Sequence, residues 1–143
     1  MPQSYANHTR WFPWYHFLVA PILFGYGIFM VVAAARNPSL ASAGDAVVAI
    51  AIALGVALGR VMALRVQDRV IRLEERLRLA RLLPADAAAK AEATLRTRQL
   101  IALRFASDAE FPELVGRVMS GELTEPKAIK QAVREWRADW LRV

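Results

Sequence analysis

The 143-residue chain carries 19 Lys and Arg against 13 Asp and Glu, for a net charge of +6, and is 56% apolar with a mean hydropathy of +0.26. That apolar share exceeds the roughly 45–50% of soluble domains, while the length suits a single domain. Cysteine is absent, which excludes disulfides, a thiol nucleophile and thiolate metal sites.

Residues 1–16 are too polar to insert into a bilayer but rich in aromatics: Tyr5, Trp11, Phe12, Trp14 and Tyr15. Trp and Tyr favour the headgroup region, where a ring sits half in oil while its N–H or O–H stays wet. The segment therefore reads as an aromatic interfacial belt. The same stretch offers a speculative polar site of Asn7, His8, Arg10 and His16, although two histidines so spaced around Pro13 match no metal-binding pattern.

Phe17 to Ala35 carries no charge and, at about 1.5 Å per residue, is long enough for a first membrane helix of about 28 Å. Pro21 is tolerated in its first turn, and Gly25 and Gly27 would let a neighbouring helix approach. Ala33-Ala34-Ala35 resembles a signal-peptidase site, but the apolar run is too long and its leading segment is not lysine-rich. Arg36 to Asp45 reads as a loop, with Asn37-Pro38 as a stop and Asp45 as the N-cap of the next helix.

The second span is expected over residues 46–64, giving a transmembrane hairpin at 17–64. Arg60 near its end would snorkel to the headgroups. Gly55 and Gly59 form a GxxxG, extended by Ala63, the small-residue spacing at which helix backbones touch in lipid. This row could pair the two spans of one chain or two copies.

Only Arg10 and Arg36 precede Arg60 among the basic residues, and seven arginines fall between Arg60 and Arg81. The positive-inside rule then puts both termini in the cytoplasm of a bacterial inner membrane. Arg60, Arg65, Arg69, Arg72 and Arg76 become candidate contacts for anionic headgroups. Beyond Leu64, Val66, Val70, Leu73, Leu77 and Ala80 step by four and three. This is a heptad seam for a helix packed within the chain or for a coiled coil between copies. Asp68–Arg72 and Glu74–Arg78 are spaced as i,i+4 ion pairs.

Residues 65–143 read as a cytosolic helical region. Pro84 opens a helix expected over 85–106. Ser107 and Glu110 form a capping box for a helix with Phe111, Leu114, Val115 and Val118 on one face, and Gly121 stops it. Thr124 is expected to cap a last helix whose apolar face is Ile129, Ala132, Val133 and Trp136, with Trp140 one turn on. The fold class is thus all-α, with a two-helix hairpin whose second helix extends into a small helical bundle.

Three segments, QSYANHTRWFPWYH (Gln3 to His16), RQLIALRFASDAEFPELV (Arg98 to Val115) and KAIKQAVREWRADWLRV (Lys127 to Val143), resemble an uncharacterised family. Its members are small bacterial two-span membrane proteins known only by a domain-of-unknown-function label. The resemblance implies two membrane helices and a helical cytosolic part, and brings no activity or catalytic residue with it.

The residues favour a non-enzymatic membrane protein acting through lipid or protein binding, with a homo-oligomer through the Gly55/Gly59 row and the seam among its partners. An enzyme at the membrane face would draw on His8 and His16 with Asp108, Glu110 or Glu113, but no nucleophile elbow, zinc helix or phosphate loop accompanies them. An oligomeric transport subunit would have only Arg60 as charge within a span. No cofactor or metal is expected, and nucleic acid is disfavoured because the basic residues lie beside the spans without a reading motif.

Overall fold

The computed structural model describes residues 3–9 and 11–140. It is all-helical: a π-helical turn at Trp14–Val19, then α1 Ala20–Arg36, α2 Leu40–Leu82, α3 Ala85–Thr94, α4 Thr97–Leu103, α5 Phe111–Met119 and α6 Pro126–Ala132. Among the described residues the one extended pairing is an antiparallel bridge between Ala106 and Trp136. Trp14–Arg36 and Leu40–Leu82 are each long and apolar enough to cross a membrane. The chain forms two compact units, residues 11–64 and residues 3–9 with 65–140.

In the first unit the helix start is set by a missing donor. Pro21 has no N–H for the carbonyl four residues back, and the preceding turn runs wide, with the Ala20 N–H bonded to the Tyr15 carbonyl. The link to α2 is only residues 37–39. Ser39 and Ser42 cap reciprocally: the Ser42 N–H donates to Ser39 Oγ (3.1 Å) and the Ser39 N–H to Ser42 Oγ (3.0 Å), while Ser42 Oγ–H bonds the Asn37 carbonyl (2.8 Å). These caps start the helix well before the expected Asp45, which lies exposed within α2. Between residues 11 and 64 only Ala46 and Ala49 are buried among the described residues. Phe24 (71% exposed), Phe29 (64%) and Met62 (66%) face outward. These apolar side chains are left uncovered by the rest of the unit.

Leu23, Phe24 and Ile28 of α1 and Ile50, Ala53 and Leu54 of α2 line an open apolar cleft of about 870 Å³. Gly25, Gly27, Gly55 and Gly59 have nothing within 4 Å of where a Cβ would stand. The close helix approach expected at Gly25 and Gly27 therefore does not occur within the chain.

The second unit has a dense core of Leu79, Leu100, Leu103, Phe105, Phe111, Leu114, Val115 and Ile129. Short α4 is its centre, packing on α5 and α6, and α3 packs on α5. The helix expected over 85–106 is broken at Leu95 and Arg96. Both are extended, because Gln99 Oε1 accepts the Arg96 N–H (2.9 Å) and so begins a new helix. The capping box forms as expected, with the Glu110 N–H on Ser107 Oγ (3.3 Å) and the Ser107 N–H on Glu110 Oε1 (3.4 Å). Gly121, at φ +83°, ends α5 in the left-handed region.

Three further expectations are corrected. Glu125, not Thr124, holds the N-cap position of α6, and the Thr124 carbonyl instead accepts from Gln99 Nε2 (3.1 Å). The last helix stops at Ala132, short of Trp136 and Trp140. Its continuation is captured by Glu110, whose carboxylate accepts the Arg134 N–H (3.1 Å) and the Glu135 N–H (3.2 Å). Residues 1–16, expected as one interfacial segment, divide: Gln3 to Thr9 straps onto the second unit, with Gln3 buried and its Oε1 accepting the Asp139 N–H (2.9 Å).

Candidate functional site

The lower part of α2 presents two opposite faces. One buries Ile71, Glu75, Arg78 and Leu79, and only Leu79 joins the main apolar core. The other carries the seam: Val66 (60% exposed), Val70 (50%), Leu73 (59%) and Leu77 (66%), with Ala80 beside them on the heptad. The seam from Val66 to Leu77 is therefore not the face on which α2 packs within its own chain, which overturns the intrachain alternative. Ala80 is exposed as well, so the open stripe runs the full length of the seam. Helix geometry puts the two faces about half a turn apart. Fully burying a Val or Leu side chain from water contributes about 1.5–3 kcal/mol, and Val66, Val70, Leu73 and Leu77 stay half or more exposed.

The arginines sort by partner. Arg65, Arg69 and Arg72 are exposed along one side of the stripe of Val66, Val70 and Leu73. Arg76 is withdrawn to Glu92 (3.2 Å), and the Arg60 guanidinium lies 5.8 Å from the Tyr15 ring centre. Of the five expected headgroup contacts, Arg65, Arg69 and Arg72 thus remain presented. Gly55 and Gly59 are exposed on their stretch of α2, so the small-residue row is not spent on pairing α1.

A charged cluster on the packed face escaped the sequence reading. Arg78 donates from Nε to Asp108 Oδ1 (2.7 Å), from one terminal nitrogen to the Ala106 carbonyl (2.6 Å) and from the other to Glu75 Oε2 (3.3 Å). Its guanidinium carbon lies 4.1 Å from the Phe111 ring centre, a cation–π distance. Arg81 adds a second bond to Asp108 (2.7 Å). The expected Glu74–Arg78 pair is replaced by this inward arrangement, and no Asp68–Arg72 pair forms among the described residues. Burial pushes the Glu75 carboxyl above its ordinary 4.5, against the pull of Arg78 and Arg137. At Asp108 desolvation acts upward too, but the Arg78 hydrogen bond and the charges of Arg78, Arg81 and Arg137 outweigh it and hold the carboxyl below 3.8. The available signal was the i,i+3 spacing of Glu75 and Arg78 between Ile71 and Leu79.

The residues of the speculative polar site are divided between the two units. Asn7 closes a local turn, accepting the Ser4 N–H (2.6 Å), and Arg10 lies outside the described residues. His8 stacks on Tyr5 and meets Phe105 and Trp136 at 5.7 Å between ring centres. The Tyr5 carbonyl, 2.6 Å away, can only accept, so His8 Nδ1 carries the proton and Nε2 faces the Lys130 ammonium at 3.3 Å. His16 belongs to the other unit, tied through Nδ1 to the Phe12 backbone and packed against Trp11 and Tyr15. Among the described residues no group of three His, Cys, Asp or Glu could hold a metal ion.

No curated protein and no solved structure matches the chain. A family model matches residues 1–143, and the protein belongs to that family, DUF6526, a family of unknown function.

Proposed function

We propose that this protein is a non-catalytic inner-membrane protein that acts by binding through the exposed face of α2. In this reading α1 and the first half of α2 cross the bilayer as a hairpin with both termini in the cytoplasm, and residues 65–143 form the cytosolic part. The arginines Arg65, Arg69 and Arg72 rest on anionic headgroups, each worth about 1 kcal/mol close to the surface. The seam and the open row of Gly55, Gly59 and Ala63 receive a partner helix.

The observation that carries this reading is the exposure of Val66, Val70, Leu73 and Leu77 on the face opposite the buried Ile71 and Leu79. A stripe kept apolar where the chain itself has no use for it is a surface for something else. The unburied apolar sides of α1 support the bilayer as its surroundings.

The test uses the full-length protein in nanodiscs of zwitterionic lipid with and without phosphatidylglycerol. Anionic lipid is expected to raise the thermal midpoint, and the combined Arg65→Gln, Arg69→Gln and Arg72→Gln variant is expected to lose that rise. An identical rise in the variant refutes the headgroup role. A reporter fused after Val143 that is active in the periplasm refutes the topology.

A further inference from the structure

We propose that the seam of α2 is the interface of a parallel two-stranded coiled coil between two copies of this chain, with Arg69 of one copy facing Glu74 of the other. The inference rests on the membrane-anchored binding reading and names its partner.

The heptad register follows from the exposed stripe. Val66 and Leu73 take the d positions and Val70 and Leu77 the a positions, all exposed. The central layer joins a β-branched residue at a to leucine at d, the combination that favours two strands. The buried own-chain contacts of this part of α2, at Ile71, Glu75, Arg78 and Leu79, lie on the opposite face, and the ion pairs of Arg76 and Arg81 at the seam's edges leave its apolar side chains exposed to a second helix.

Charge sets the direction. The flanking g positions are Arg69 and Arg76, and the e positions are Gln67, Glu74 and Arg81. In a parallel pair each g residue faces the e residue five positions on in the other helix, which brings Arg69 to Glu74 on both sides. The same rule sets Arg76 against Arg81, but both are already neutralised at home, by Glu92 at 3.2 Å and Asp108 at 2.7 Å. An antiparallel pair would instead set g against g, Arg69 and Arg76 against like charges. Copies inserted in one membrane with one topology are parallel in any case. So short a seam is little for a coiled coil in free solution. Tethering by the spans raises the effective concentration of one seam for another.

The experiment uses the full chain in native membranes, exploiting the absence of native cysteine. Leu73→Cys is expected to form a disulfide-linked dimer on mild oxidation, while the flanking Arg72→Cys is expected to give at least severalfold less. In the Leu73→Cys background, Arg69→Glu and Glu74→Arg singly are each expected to cut the dimer severalfold, and the two together to restore it. Failure of Leu73→Cys to crosslink overturns the proposal, as does indifference to the charge variants. So does quenching, by brominated acyl chains, of a fluorophore attached to the Leu73→Cys thiol, which would show lipid covering the seam. If the phosphatidylglycerol response persists while crosslinking fails, the coiled coil alone is lost. If both fail, the binding reading goes with it.

Discussion

Arg78→Ala offers the most direct test of what holds the second unit together. The substitution removes three hydrogen bonds and the contact with Phe111. Asp108 is half exposed and its loss costs little, since water replaces the guanidinium. Glu75 is different: its side chain is 3% exposed, and the next cation, Arg137, stands 3.9 Å away and is itself largely in solvent. Breaking a buried pair from one side costs about 3–5 kcal/mol, because a charge is left without its partner. For a unit of this size about 1 kcal/mol shifts the midpoint by roughly 4–8 °C, so a fall of about 12 °C or more is expected. The assay is thermal unfolding of the full-length protein in detergent, followed by the fluorescence of Trp136 with the other three tryptophans replaced by Phe. Trp136 reports this unit because its ring packs 4.9 Å from Phe105. Replacing both partners, Glu75→Leu with Arg78→Leu, is expected to recover most of the loss, since no buried charge then remains. A drop below about 4 °C for Arg78→Ala, or a double variant no better than the single one, refutes the reasoning.

The same cluster governs the response to pH. The raised Glu75 pKa means that the folded state binds this proton more tightly, so stability is lost as pH rises from 4.5 through the folded value. Asp108, held below 3.8, acts oppositely: its contribution is present above 3.8 and is lost as pH falls through the folded value. Glu75→Gln is expected to remove the first limb and Asp108→Asn the second, read as midpoint against pH. Gly121→Ala meets no steric contact but must hold φ near +83°, and is expected to cost about 1 kcal/mol or more in the same unfolding assay. Glu110→Ala strips the acceptor from the Arg134 and Glu135 N–H groups, and hydrogen exchange at those two amides is expected to accelerate by at least tenfold. Unchanged protection there would mean that the Ser107–Glu135 and Arg137–Phe105 backbone bonds suffice to hold the segment.

Much of this protein is legible from local pattern. Phe17 to Ala35 is an unbroken apolar stretch and the run from Ala46 to Leu64 is interrupted only by Arg60, so two long helices follow from composition alone. The Ser107–Glu110 box and Gly121 bracket α5 through contacts made within one or two turns, which spacing encodes directly. The seam from Val66 to Leu77 was visible as a heptad, but its exposure was not: periodicity shows that a face is apolar and is silent about what covers it. That was decided by the opposite face, where Arg78, paired with Glu75, finds Asp108 and the Ala106 carbonyl some thirty residues on. Charged residues read as a solvated flank until distant partners neutralise them.

The same asymmetry explains the two broken helices. At Arg96 and Arg134 nothing in the local sequence forbids helix, since neither Gly nor Pro intervenes. Gln99, its own side-chain amide held by the Thr124 carbonyl twenty-five residues on, redirects the first helix, and the Glu110 carboxylate, twenty-four residues upstream, captures the second. Sequence by itself determined the helical class, the membrane-length runs and the turns whose acceptors lie nearby. Tertiary structure alone decided which face of α2 is packed and which is left open, because the partners that bury Arg78 (Asp108 and the accepting Ala106 carbonyl) lie far along the chain.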